Sequence, residues 1–152
     1  MLGLICVLIL VLLIATPSLA QQSLVGTYKL ISNLRDIDGK LDPLKNPRGY
    51  LIITPKALVL VQMEGTRKYG ESTTDKAALW ESMVVLGGSY RVEGNKLVMY
   101  PDIHSNESFV GTTQIRNWEI KGNRLLLSSD PRPYSRDLSK TVVTRQDWER
   151  ID

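Results

Sequence analysis

Cysteine is almost absent from this 152-residue chain: the one present, Cys6, lies inside an apolar leading segment. A disulfide framework and a thiol nucleophile are therefore excluded from residues 21–152. Histidine is as scarce, with His104 alone, so a serine relay has no second imidazole to draw on. Neither a Gly-x-Ser-x-Gly elbow nor a phosphate-cradling glycine loop is present. One histidine without a cysteine is a poor metal site, and His104, two residues from Asp102 in a polar stretch, reads as an ordinary surface pair. A haem ligated through His104 or a tyrosine has nothing else behind it. No metal, cofactor or catalytic residue is expected. Charge of one sign accumulates nowhere: 19 basic and 16 acidic residues give a net charge of +3, spread without runs. That argues against a nucleic-acid footprint. Repeats and low-complexity stretches are also missing.

What is there begins with an apolar segment. Residues 1–20 carry no charge, run apolar from Leu2 to Ala15 and break into Thr16-Pro17-Ser18-Leu19-Ala20, with small residues where a signal peptidase reads. We expect a signal peptide cleaved after Ala20, and a secreted or periplasmic product. The alternative is an uncleaved anchor, since counting on to Leu19 approaches the length of a membrane span. A membrane partner is expected only in that case. Removing 20 of the 152 residues leaves 132, enough for one domain with a real core. With no disulfide available, its stability must come from packing and hydrogen bonding.

The remainder breaks into eight short runs rich in Val, Ile, Leu, Thr and Tyr: 24–34, 49–54, 57–63, 88–92, 96–100, 112–120, 124–128 and 141–148. Asp38-Gly39, Gly94-Asn95 and Gly122-Asn123 between them supply hairpin chemistry, hence an antiparallel meander. Residues 72–86 differ, with Leu79, Met83 and Leu86 at helical spacing, a start signal in Ser72 and Asp75, and a stop in Gly87-Gly88. The spacing predicts a helix flanking the sheet. Residues 101–110 and 130–140 read as the longest loops, the first containing a glycosylation acceptor triplet, Asn106-Glu107-Ser108.

Ordered motifs along the chain, "LVGTYKLIS", "DIDGK", "NPRGYLIITP", "GSYRVEGNKLVMYP", "FVGTTQIRNWEIKGNRLLLSS" and "WERI", resemble the lipocalin-like domain proteins, most of them bacterial. The resemblance spans roughly Leu24 to Ile151. It implies an all-β, eight-stranded antiparallel barrel with one inserted helix, built to enclose something small and apolar. Gly26-Thr27-Tyr28 stands where lipocalins carry a Gly-x-Trp element, which implies that Tyr28 plugs the barrel base. Many lipocalin-like sequences place a histidine after the fifth strand; Met99-Tyr100-Pro101 here has none.

Period-two geometry puts Thr112, Gln114, Arg116 and Trp118 on one face of their strand. Facing inward, Arg116 and Gln114 offer a guanidinium fork and an amide to a carboxylate or carbonyl; facing outward, Arg116 is a solvated cation. In the last strand Val142, Thr144, Gln146 and Trp148 form the expected interior set. Residues 49–54 and 57–63 are apolar on both faces, so a helix, another chain or a ligand should cover one of them. Tyr50, Gln62, Met63, Tyr90 and Tyr100 are candidate cavity liners, or they fill the barrel, whose strand number sits near that limit. The expected ligand-binding set is Tyr50, Gln62, Tyr100, Gln114, Arg116 and Trp118. The leading expectation is an exported barrel carrying a small hydrophobic molecule. The alternatives are a barrel isomerase or cyclase, and a filled barrel acting as a structural or interaction module.

Overall fold

A computed structural model describes residues 23–134 and 137–152; the expected signal segment, 1–20, lies outside the described residues. Ten strands follow in order: β1 Gly26–Ile37, β2 Lys40–Pro43, β3 Arg48–Ile53, β4 Ala57–Met63, β5 Met83–Glu93, β6 Lys96–His104, β7 Gln114–Lys121, β8 Arg124–Ser128, β9 Arg132–Tyr134 and β10 Asp137–Arg150. A helix, α1 Thr73–Glu81, separates β4 from β5. Every strand pairing is antiparallel, in the order β1-β3-β4-β5-β6-β7-β8-β10, and β10 pairs back onto β1. The result is a closed eight-stranded barrel. The short strands β2 and β9 extend it beside the far halves of β1 and β10. The β1–β2 hairpin turns on Asp38 and Gly39, with φ of 51° and 82°, the pair of positive values that a two-residue turn matched to strand twist requires.

The barrel is packed at one end. Tyr28 and Leu30 of β1, Leu58 of β4, Leu97 of β6, Leu125 of β8 and Trp148 of β10 are buried together, and Leu24 joins them just ahead of β1. The Tyr28 hydroxyl donates to the Leu24 carbonyl at 2.9 Å, so the aromatic expected to plug the base also ties down the incoming chain. Outside this layer the Arg150 guanidinium lies 5.3 Å from the Tyr28 ring centroid and donates to the Val25 carbonyl. Gly26 makes room for it, since a Cβ there would fall 2.6 Å from Arg150 Nη2.

Two β-bulges change strand phase at the other end. In β1 the register slips between Leu30 and Ser32, so that Tyr28 and Leu30 point inward before the slip and Asn33 and Arg35 after it. Between β5 and β6, Gly87 pairs with Ile103 but Gly88 with Pro101. The extra residue, Asp102, brings His104 to the inner face opposite Leu86.

The helix is shorter than its periodicity suggested. Ser72 caps it, accepting from the Asp75 amide at 3.1 Å, but it ends at Glu81, and Met83 opens β5. Met83, Val84, Val85 and Leu86 pair in sequence with Met63, Gln62, Val61 and Leu60 of β4. An apolar run containing two adjacent valines suits that ladder better than a helix, so the apparent stripe is split between two elements. No residue of α1 is buried. The helix sits at the barrel mouth and not over β3 and β4, whose outer faces leave Ile52 and Val59 exposed. The stretches expected as loops shrink likewise: β6 runs on to His104, and β9 and the start of β10 occupy much of 130–140.

Replacing Gly26 with alanine should displace the Arg150 guanidinium from both Tyr28 and the Val25 carbonyl. The expected outcome is a slightly lower urea midpoint with an unchanged m-value, a loss of about 0.5–1 kcal/mol, because the flexible end of Arg150 can yield. An unaltered midpoint would show that the Arg150 clasp contributes nothing to closure.

Candidate functional site: a half-open barrel cup

Above the packed layer the barrel holds a cavity of about 700 Å³. Its walls come from the strand halves remote from Tyr28 and Trp148: Asn33 and Arg35 of β1, Gln62 and Met63 of β4, Val84 of β5, His104 of β6, Gln114 and Arg116 of β7, and Val142, Thr144 and Gln146 of β10. Trp80 and Glu81 of α1 stand at the mouth on one side, Asn106, Glu107 and Phe109 on another, and Arg132 and Tyr134 of β9 on a third.

The floor of this cup is an amide bridge. Gln62 Oε1 accepts from Gln146 Nε2 at 2.7 Å and from Asn33 Nδ2 at 3.3 Å, linking β4 across the interior to β10 and β1. Immediately below lie Leu60, Trp148 and Leu30, the inward neighbours of the three amides in the packed core. Asn33 is only 5% exposed, and its Oδ1 has no hydrogen-bond partner. An unpaired buried acceptor costs about 1–3 kcal/mol.

Of the three arginines that line the cavity, the two on its wall are in different states. Arg35 Nη2 is paired with Asp42 of β2 at 2.6 Å. Arg116 forms no ion pair among the described residues; its Nη1 donates to its own strand at the Ile115 carbonyl, 2.7 Å away. Burial first, then repulsion from Arg132, pushes its pKa down to about 10, against a weaker opposing pull from Asp130. At neutral pH it is still a cation, poorly solvated and lacking a partner carboxylate.

His104 stands near it. Its Nδ1 accepts from the Asn106 amide at 2.9 Å, so a neutral ring carries its proton on Nε2. Phe109 packs on the ring with centroids 4.9 Å apart. Burial, followed by the Arg116 charge, holds the imidazole pKa below its usual value.

Of the six residues expected to bind a ligand, Gln62, Gln114 and Arg116 line the cup. The inward reading of β7 is therefore the one the barrel adopts. Trp118 shares that face but lies one step down, against the core. Tyr50 and Tyr100 must be corrected. Tyr50 alternates with the buried Leu51 and is 52% exposed on the outer wall, while Tyr100 alternates with the inward Met99 and lies outside under Arg91, 5.3 Å from its ring centroid. Tyr90 does point inward, but it fills the core and donates to the Thr54 carbonyl at 2.8 Å. His104 and Asn33, which sequence reasoning left aside, both face the cup because of the bulges. Among the described residues no three His, Cys, Asp or Glu side chains converge on a metal-sized site. What the arrangement offers is hydrogen bonding and two cations that form no ion pair among the described residues, Arg116 on the wall and Arg132 at the rim.

Because the folded His104 pKa is depressed, the unfolded chain binds more protons as pH falls through the imidazole range. This contribution to stability is complete above the ordinary histidine pKa near 6.5 and is lost as pH falls through the lower folded value. His104→Gln should therefore flatten the pH dependence of the urea midpoint in that window and leave it little changed at pH 8. A variant retaining the full wild-type slope would place the titration elsewhere.

No protein-family model and no curated protein matches this chain.

Proposed function

We propose that this chain is an exported, lipocalin-like binding protein that carries a small molecule in its half-open barrel, with the ligand's anionic or carbonyl end at Arg116. The observation that carries this reading is the pairing of a cavity of about 700 Å³, within the range of small-molecule sites, with a half-buried guanidinium that forms no ion pair among the described residues. Burying an unpaired charge is costly, and an incoming anion offsets that cost with charge-assisted, forked hydrogen bonds. The family resemblance and the leading segment 1–20 support the barrel-carrier and export parts of the reading. Val84, Met63 and Val142 give the cup apolar wall between its polar groups, so the fitting ligand is amphipathic and not purely hydrophobic. Open space in the upper half weighs against a barrel filled throughout.

Native mass spectrometry of the secreted, unheated protein tests this reading, with Arg116→Ala run alongside. The expected result is a co-purifying small acid or carbonyl compound that is lost from the variant, or whose affinity falls at least tenfold, since a charge-assisted bond is worth about 1.5–3 kcal/mol. A ligand retained equally by both proteins would remove Arg116 from the site. Turnover of the bound compound would replace carriage by catalysis.

A further inference from the structure

The cup has a second polar pole that the Arg116 site does not use. Its floor amides are three side chains from three strands, and two of them, Asn33 and Gln146, are more than nine-tenths buried. Gln62 Oε1 already accepts two donors, so it cannot relieve the unpaired acceptor on Asn33. Below Asn33, Gln62 and Gln146 are Leu30, Leu60 and Trp148, so the floor rests on the apolar core. A barrel needing only an apolar cavity would continue that aliphatic layer upward. Unlike the unpaired indole nitrogens of Trp118 and Trp148, which belong to the packed side of the barrel, the unpaired Asn33 acceptor belongs to a residue that lines the cavity.

We infer that the amide floor is a ligand subsite, and that the cognate ligand is a hydroxylated organic anion, its acidic group at Arg116 and a neutral hydroxyl at Asn33. This deepens the binding reading above and rests on it. A hydroxyl fits because it both donates and accepts and its proton rotates freely. Asn33 Oδ1 is covered in this structure, so the hydroxyl meets it by parting the Asn33–Gln62 bond, at 3.3 Å the longer of the two bridge bonds; a second carboxylate would meet Asn33 Oδ1 and the Gln62 oxygen with like polarity. The two poles also set the ligand's direction: the acid lies on the β7 wall, and the hydroxyl points down toward Trp148. A hydrocarbon acid reaches the first pole and leaves the second unpaired.

The test is isothermal titration calorimetry of the purified protein with straight-chain acids of about six to twelve carbons, sized to the cavity, each compared with its ω-hydroxy counterpart. Wild type should bind at least one ω-hydroxy acid about three- to tenfold more tightly than the plain acid, the worth of one neutral hydrogen bond. Asn33→Leu should abolish that preference while still binding the plain acid. Gln146→Met, which breaks the bridge from β10, should weaken the preference and serves if the Asn33 variant does not fold. A wild type that binds both acids equally, with an affinity dependent on Arg116, overturns the floor subsite and leaves the carrier reading standing. Binding of no acid at any length overturns both. A hydroxyl preference that survives in Asn33→Leu overturns the assignment of the floor.

Discussion

The pairing of β1 with β10 leaves the barrel sheet without an edge, and every layer of the interior is threaded along that one ladder. Leu30 opposite Trp148 belongs to the packed base, Asn33 opposite Gln146 to the floor, Arg35 opposite Thr144 to the cup wall and Ile37 opposite Val142 to the mouth. Closure satisfies the backbone of the two terminal strands without a disulfide, which the near absence of cysteine rules out. It also brings residues far apart in the chain into register, so the cup cannot exist in any fragment lacking either end. The Tyr28–Leu24 bond and the Arg150 clasp act at the base of the same ladder, fixing the end from which the register is counted.

Along this ladder the bulges decide what the cup contains. Strict alternation from Tyr28 and Leu30 would send Ser32 and Leu34 inward; the extra residue sends Asn33 and Arg35 instead. In β6, alternation from Leu97 and Met99 would continue to Ile103, yet the bulge at Asp102 turns Ile103 to solvent and His104 inward. Both irregularities lie at the boundary between core and cup; on the inner face one exchanges Ser32 and Leu34 for Asn33 and Arg35, the other Ile103 for His104. Bulges cost ladder hydrogen bonds, so two that shift the lining in the same chemical direction belong with the site more than with the scaffold.

This explains what the amino-acid sequence disclosed. Alternation, turn residues and the resemblance led to a closed eight-stranded barrel, because those signals are local and repeated. Alternation also put Gln114 and Arg116 on one face of β7, leaving open which way it pointed, and Gln146 in the interior set of β10, since β7 and the end of β10 run without a bulge between core and cup. It could not reach Asn33 or His104, whose inward aim depends on one inserted residue that no local pattern marks. Tyr50 and Tyr100 were misplaced for another reason: in strands apolar on both sides the inner face is fixed by the neighbouring strand. The helix overran because a short valine-containing run fits either period, and only pairing with β4 decides between them.

The packed base and the polar cup make opposite demands on a domain of this size. Asn33 Oδ1 and the Arg116 guanidinium each lie in low-dielectric surroundings without the partner that a stability-optimised interior would give them. They are tolerated because the layer beneath, from Leu30 to Trp148, is closely packed and largely apolar, and because Arg35, on the same wall, is neutralised by Asp42 on the added strand β2. β2 could have neutralised the cup further only by placing a carboxylate over Arg116, on the opposite side of the barrel. That side is instead bordered by β9, whose Arg132 adds repulsion. The charge is thus left uncompensated by the neighbouring strands themselves, and the energetic cost of that arrangement is relieved when an anion occupies the cup.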